Sequence, residues 1–357
     1  MVKFKSWVKD VHRVRGEFIT RHGHLRLDKN ERVTPFPDSF LARLKETLDW
    51  EAITAYPETE QLYSALATHL GVARDQIVLT AGSDGAIRHS FDLFVTRGDE
   101  VIVLEPTFAM VDVYCGLFGA NRRAIGYDQK LNLNVRGLID AINTRTTLVV
   151  IANPNSPTGT ILTESALIEI LEKAEAHGVP VLVDEAYHGF SRFTALPLLI
   201  RHPNLIISRT FSKAHGLAGL RVGYVVASPE IAQMLYRFRP MYEVNAIGVL
   251  CALEVLAHPE VTEEYLSATE EGRSYLLGEM NRRGIATRDT ATNFVHVDFG
   301  EKKAAIGDAF GKHGILVRGG LPISGFEGYL RISLGPAAAM AAVVAAIDHT
   351  YSGKGAS

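Results

Sequence analysis

Six short apolar runs alternate with longer helical stretches through the first two thirds of this chain, and that alternation leaves few folds open. The runs are Ile77–Thr80, Glu100–Leu104, Thr147–Ile151, Val179–Asp184, Leu205–Ser208 and Val222–Ala227. Each is too short for a helix and is closed by turn or polar residues, which reads as a buried strand. Stretches such as Glu164–His177 lie between them. Strand–helix alternation of this kind predicts an α/β fold, a mainly parallel sheet with crossover helices. Ligands of such sheets bind beyond the carboxyl ends of the strands. Asn153, Asp184 and the run Thr210 to Lys213 all fall at or just past such ends. Three motifs are therefore expected to meet on one edge.

The chain has 357 residues, more than one compact core accommodates, so two lobes are expected. Helical segments at Val249–Ala257 and Val261–Arg282 lead to strands near Phe294–Asp298 and Tyr329–Ser333. These predict a smaller α+β domain from residues 246–357 together with 1–39, beside a large domain over residues 40–245. A net charge of −3 gives no electrostatic case for nucleic acid or an anionic membrane as partner. The apolar run from Ala337 to Ile347 is too short to span a bilayer. The basic N-terminus, Met1-Val-Lys-Phe-Lys-Ser-Trp, lacks the apolar core of a signal peptide and reads as an extension packed on the body or on a partner chain. Cys115 and Cys251 form neither a disulfide framework nor a metal-ligand spacing; they suit a reducing cytoplasm.

The chemistry concentrates in three runs. Lys213 lies between hydroxyls at Thr210 and Ser212, with Arg221 following among glycines. An amine that can bond an aldehyde, beside hydroxyls and a guanidinium that can hold a phosphate, is the set pyridoxal phosphate requires. Upstream, Val179-Pro-Val-Leu-Val-Asp-Glu-Ala-Tyr187 ends a strand in an acid, with a tyrosine three residues on. A buried carboxylate such as Asp184 would keep that cofactor's ring nitrogen protonated, and a phenol such as Tyr187 could hydrogen-bond its ring hydroxyl. The third run, Thr147-Leu-Val-Val-Ile-Ala-Asn-Pro-Asn-Ser-Pro-Thr-Gly159, is again a strand followed by a turn. In Ala81-Gly-Ser-Asp-Gly85, backbone amides before a helical segment at Ile87–Val95 suit an anion, with Gly82, Ser83 and Asp84 as the cradle.

Taken in order, these motifs resemble the fold-type I pyridoxal phosphate enzymes, and within them the histidinol-phosphate aminotransferase group of class I/II aminotransferases. Leu27-Asp-Lys-Asn-Glu31, Tyr56-Pro57, Pro106-Thr-Phe108 and Leu330-Arg-Ile-Ser-Leu-Gly335 extend the resemblance from about residue 25 to 350. It implies a seven-stranded large-domain sheet, a homodimer, and Tyr56 reaching the neighbouring subunit's cofactor phosphate. It further implies Phe108 stacked on the cofactor ring, Arg331 holding a substrate carboxylate, and Asn30 in the substrate loop. Lys213 would bond the cofactor and move the α-proton.

Two positions depart from the family pattern. Ser156 stands where an asparagine usually precedes Pro-Thr-Gly, so either Ser156 or Asn155 would meet the ring hydroxyl. The loop continues Asn30-Glu-Arg-Val-Thr-Pro35, and Arg32 is expected to contact an acidic or phosphorylated group of the substrate. The leading activity is an aminotransferase that passes an amino group from a donor such as glutamate to a 2-oxo or phosphorylated carbonyl acceptor. A decarboxylase resembling threonine-phosphate decarboxylase is the second reading. Retention of Lys213 with Asp184 argues against a binding-only regulator, and no strand-to-helix turn carries a dinucleotide fingerprint.

Overall fold

The structure, a computed structural model, describes residues 2–11 and 20–352. Its strands in chain order are β1 (Leu25–Arg26), β2 (Ile77–Thr80), β3 (Glu100–Glu105), β4 (Asn121–Gly126), β5 (Thr146–Ala152), β6 (Val181–Asp184), β7 (Leu205–Thr210), β8 (Gly223–Ala227), β9 (Thr287–Arg288), β10 (Phe294–Asp298), β11 (Ile315–Leu316), β12 (Arg318–Gly319) and β13 (Tyr329–Ser333). The helices are α1 (Asp38–Thr47), α2 (Glu51–Thr54), α3 (Glu60–Leu70), α4 (Gly82–Phe94), α5 (Ala109–Phe118), α6 (Val135–Ala141), α7 (Glu164–Glu175), α8 (Pro229–Phe238), α9 (Ala246–Ala257), α10 (Glu260–Arg282), α11 (Lys303–Lys312) and α12 (Ala337–Ser352).

A seven-stranded sheet in the order β2-β8-β7-β6-β5-β3-β4 forms the centre. Its strands run parallel except β8, which is antiparallel to both neighbours. The wholly apolar runs of the sequence are explained by a core on each face. Val149, Ile151, Val181, Val183, Leu205 and Ile207 face one core with α6 and α7. Leu148, Val150, Leu182, Ile206 and Val225 face the other, with α4, α5 and α8. Burial on both faces is what makes a parallel strand read as continuous Val, Ile and Leu. Side-chain caps fix the crossover helices at their starts: Thr163 accepts from the Ala166 amide of α7, Ser228 from Ile231 of α8, and Asn245 from Gly248 of α9.

A four-stranded antiparallel sheet, β12-β13-β10-β9, and the short pair β1–β11 build the second unit. Helices α10, α11 and α12 close over it around Leu276, Phe310, Val343 and Ile347. Leu25 and Leu27 hydrogen-bond into this unit from the N-terminal side, and the Ser333 amide donates to the Leu27 carbonyl.

The small domain was expected to begin at residue 246, yet α9 buries Val249, Cys251, Ala252 and Val255 against Ile77, Leu79, Tyr224 and Val226 of the central sheet. Its residues are apolar on most of the helix surface, so α9 packs with the larger core, as does Val261 at the start of α10. The N-terminal arm also sits elsewhere than in the small domain. Around a 3₁₀ turn at Ser6–Asp10, Trp7 Nε1 donates to the Leu117 carbonyl at 3.1 Å, and the Arg97 guanidinium lies 4.4 Å from the indole. The extension therefore packs on the body, against α5. Met1, residues 12–19 and residues 353–357 of the expected small domain lie outside the described residues. One strand of the central sheet was not foreseen: β4, Asn-Arg-Arg-Ala-Ile-Gly, is a sheet edge with only Ile125 buried, and the two-residue strands β1, β9, β11 and β12 were not foreseen either. A polar edge strand carries no apolar run to betray it. Among the described residues no helix is long and apolar enough to cross a membrane.

Ile151, fully buried near the carboxyl end of β5, reports on this packing. Ile151→Ala is expected to lower stability by about 2–5 kcal/mol, read from urea unfolding monitored by fluorescence.

Candidate active site

The carboxyl ends of β5, β6 and β7 open into a cleft of about 770 Å³, roofed by the N-terminal loop and by β12 and β13. Lys29, Asn30, Ser83, Asp84, Phe108, Ser156, Asp184, Tyr187, Thr210, Ser212, Lys213, Arg221, Arg318 and Arg331 line it. The sequence motifs thus meet where the strand topology required.

Asp184, the last residue of β6, is 5% exposed. Ser208 on the neighbouring strand β7 donates its hydroxyl to Asp184 Oδ1 at 2.7 Å, and the Ser83 hydroxyl reaches the same carboxylate. Burial nonetheless pushes the Asp184 carboxyl up to about 6, and the nearby Glu185 and Asp84 charges add to the rise. Glu185 next door is paired with Arg209 at 3.0 Å on the far side. Among the described residues Asp184 has hydroxyl partners but no cation, so the cleft presents a buried acid suited to a cationic N–H.

Lys213 extends its amine to the Lys29 carbonyl at 2.9 Å and the Asn30 carbonyl at 3.3 Å. Tyr187 is buried, with its ring edge-on to Phe294 at 5.7 Å. Its hydroxyl accepts from Asn30 Nδ2 at 2.7 Å and lies 3.5 Å from Ser156 Oγ. Asn30 holds a left-handed backbone (φ 57°), a conformation that asparagine tolerates better than most residues. Its own Oδ1 accepts from Ser333 at 2.7 Å. The Asn30 side chain is therefore committed to orienting Tyr187 and to tying the loop to β13.

An anion cradle lies at the start of α4. The expected helix at Ile87–Val95 begins earlier, at Gly82, which places Ser83 and Asp84 in the first turn. Gly82 has φ 75°, and a Cβ there would meet Arg221 Nη2 at 2.7 Å. A Cβ on Gly223 would fall 2.5 Å from the Gly82 carbonyl carbon. Glycine at both sites lets backbone and guanidinium close around a small anion. Arg221 itself is left-handed (φ 55°), unusual for a residue with a side chain, and donates to Ser212 Oγ at 3.1 Å. Thr210 donates to Ser212 at 2.9 Å. Asp84 accepts from the Tyr114 hydroxyl at 3.1 Å, which holds its carboxylate. Hydroxyls, a guanidinium and helix-start amides fit a phosphate, and an adjacent amine and buried acid fit the rest of a phosphorylated pyridine aldehyde.

Of the two residues left open for the ring hydroxyl, Asn155 is spent internally. It donates to the Pro106 carbonyl and to Thr158 and accepts from Thr107. Ser156 is the residue that faces the cleft. Arg32 does not face the cleft at all. Its guanidinium is sandwiched 4.3 Å from Phe36 and 4.6 Å from Tyr265, and it donates to the carbonyls of Thr34 and Val261. A positive charge on a short loop reads as substrate-facing, but two aromatic faces outcompete solvent for it. Tyr56 also lies away from its own cleft, 73% exposed and stacked on Tyr242 at 3.9 Å.

Among the lining residues that went unrecognised in the sequence, one is a cation facing Arg331. Arg318 on β12 stands directly opposite Arg331 on β13. Its only local signal is Arg-Gly-Gly before a proline, which resembles any turn. Arg331 donates to the Asp28 carbonyl at 2.8 Å, while its buried Nε finds no acceptor among the described residues. Burial holds its pKa below the ordinary arginine value, so an anion is the partner it lacks.

Comparison with known proteins agrees with this arrangement. The aminotransferase class I and II family matches residues 23–347. A histidinol-phosphate aminotransferase of Caldanaerobacter subterraneus subsp. tengcongensis is 34% identical over 313 residues, spanning 87% of this chain and 88% of that protein. Histidinol-phosphate aminotransferase 2 of Methylococcus capsulatus is 36% identical over 306 residues, 82% of this chain and 81% of that protein. The crystal structure of histidinol-phosphate aminotransferase from Sinorhizobium meliloti, in complex with pyridoxal 5′-phosphate, superposes with a TM-score of 0.85 at 26% identity, covering 99% of each chain. The chain belongs to the class I and II aminotransferase family and is similar, within it, to the histidinol-phosphate aminotransferases. It is a transaminase, and decarboxylation is not favoured.

Two outcomes follow from this geometry. Arg32→Ala should lower stability by about 0.5–2 kcal/mol while leaving substrate KM unchanged, with Arg32→Lys recovering little because it lacks the planar face; thermal unfolding and steady-state kinetics read both. For Asp184 the folded carboxyl sits near 6 against 3.8 unfolded, so its share of stability is present below about pH 4 and lost as pH rises through 6. The cofactor-free Asp184→Asn protein should therefore be more stable than the parent at pH 8, by up to about 3 kcal/mol, and equal to it near pH 4. Chemical denaturation at the two pH values measures the difference.

Proposed function

We propose that this aminotransferase exchanges an amino group between a donor with a second anionic group, glutamate above all, and a phosphorylated ketone whose amine form is of the histidinol-phosphate type. The observation that carries this reading is the Arg331–Arg318 pair. Like charges placed directly across two strands repel, so their retention in a cleft points to a ligand of at least two negative charges. Glutamate brings two carboxylates, and a phosphorylated amino compound brings a doubly charged phosphate. One guanidinium pair can serve both in turn. The identity of the relatives supports the same substrate class.

Pyridoxal phosphate is the cofactor; when bound, it supplies the aldehyde that takes the amino group and a ring that withdraws electrons from the bond being broken. Ser83, Thr210, Ser212, Arg221 and the first amides of α4 would hold its phosphate. Asp184 would hold a proton on its ring nitrogen, because a buried acid without a cation favours such a partner. Phe108 would lie on the ring, and Tyr187 and Ser156 would meet its hydroxyl. The Lys213 amine would be the base that takes the α-proton from the substrate. Arg331 orients the substrate carboxylate so that this proton faces Lys213. The loop carrying Lys29 and Asn30 holds the amine through its carbonyls.

We further infer a homodimer. Exposed Trp50, Ile53 and Tyr56 meet exposed Phe238, Met241 and Tyr242 through the Tyr56–Tyr242 stack, a patch of the kind that a partner surface covers. A second copy would bring Tyr56 to the neighbouring cleft. The buried, unpaired Cys115 and Cys251 support a cytoplasmic setting.

The absorbance band of the lysine-bound cofactor tests the reading. L-glutamate should shift it to the amine form in the parent protein, and Lys213→Ala should show no shift. Arg331→Ala should cost about 2–5 kcal/mol in kcat/KM for glutamate, and Arg318→Ala should penalise glutamate and histidinol phosphate more than alanine. Equal losses for alanine and glutamate in Arg318→Ala would remove the dianion argument.

A further inference from the structure

The cleft face of the small sheet carries one row of side chains across all four strands. In register, Arg288 of β9 stands opposite His296 of β10, His296 opposite Arg331 of β13, and Arg331 opposite Arg318 of β12. Residues directly opposite one another project from the same face, so the four side chains lie side by side. Arg331 and Arg318 line the active-site cleft. Arg288 lines a separate cavity on the other side of the loop that follows β5, with Thr158, Thr160 and Tyr127. His296 is the single member of the row that reaches the partition itself.

His296 is fully buried, and its Nε2 is 2.9 Å from the Pro157 carbonyl. A carbonyl only accepts, so Nε2 carries the proton. Nδ1 is left without a partner among the described residues. The ring is therefore a neutral imidazole wedged beside a guanidinium, and burial together with Arg331 lowers its pKa to about 4. A leucine would fill the same space without a buried polar atom. The imidazole costs desolvation that only its one hydrogen bond offsets.

That bond joins two units. Pro157 belongs to the turn whose preceding residue, Ser156, faces the cleft and lies 3.5 Å from the Tyr187 hydroxyl. His296 belongs to the small sheet, next to the guanidinium that has an unpartnered Nε. A second contact reinforces the same seam: the Ala291 amide donates to the Gly159 carbonyl, and a Cβ on Gly159 would strike Thr290 at 2.3 Å.

We propose that His296 is a positioning residue for transamination: its bond to Pro157 registers the Ser156 turn of the large domain against the Arg331 strand of the small domain, so that the carboxylate site and the ring-hydroxyl site are set at one fixed separation. The proposal rests on Arg331 as the carboxylate site. A misplacement of about 1 Å between such sites costs on the order of 100-fold in rate.

The test is the glutamate half-reaction, followed by loss of the lysine-bound cofactor band in holoenzyme, for His296→Leu and His296→Gln. His296→Leu should keep the band and unfold within a few degrees of the parent, yet lose on the order of 10- to 100-fold in kcat/KM, with KM carrying most of the change. His296→Gln, whose amide can donate to Pro157, should recover most of it. A His296→Leu enzyme within twofold of the parent, or a glutamine variant as impaired as the leucine one, overturns the proposal. Arg331→Ala measured in parallel separates the two readings. If it leaves glutamate KM unchanged, the carboxylate site is wrong while the leucine–glutamine contrast still decides the bridge.

Discussion

A carboxylate buried at the end of a parallel strand, with hydroxyls but, among the described residues, no cation beside it, is the constraint from which this site is built. Asp184 sits there because β6 ends in the middle of the sheet, covered on both faces. Ser208 and Ser83 soften the desolvation without cancelling it, so the carboxyl remains near 6. A group in that condition favours whatever brings a proton or a positive charge. The surrounding arrangement serves the same ligand: an amine on the next strand's turn, an anion cradle at a helix start, and an aromatic ring at Phe108. The sheet sets their relative positions, since each residue is at or within a few positions of a strand end.

The part of the fold that was legible was the part made of buried parallel strands. Val149 to Ala152 and Val181 to Val183 have no polar face, so their periodicity, length and end points could be read directly. Their ends carried the chemistry, and for that reason Asp184 and Lys213 were visible together. What escaped was set by tertiary contact. β4 is polar because it is an edge; α9 is apolar nearly all round, and nothing local says which core takes it. Arg32 looked like a substrate ligand because loops usually leave cations in water, and no local pattern reveals that Phe36 and Tyr265 flank it. Arg318 was hidden by glycines, and its meaning appears only when Arg331 is seen across the strand.

The two domains contribute unequal kinds of order. On the large-domain side, hydrogen bonds from strand-end backbone and short hydroxyl side chains fix positions tightly. On the small-domain side, long guanidinium side chains project from a narrow sheet; Arg331 donates to the Asp28 carbonyl, and the neighbouring His296 bonds the Pro157 carbonyl. Asn30 stitches the two together, since it touches Tyr187 on one side and Ser333 on the other.

The close approach of Gly82 and Gly223 has a consequence for how such an enzyme can change over evolutionary time. Neither position can gain even a methyl group without moving backbone or the Arg221 guanidinium. The cradle thus tolerates little change at these two positions. Novelty has to enter from the opposite wall, where Arg318, Gly319 and Pro322 edge the cleft on a short strand and its turn. Gene duplication followed by drift in that one segment would yield enzymes with one chemistry and divergent diets.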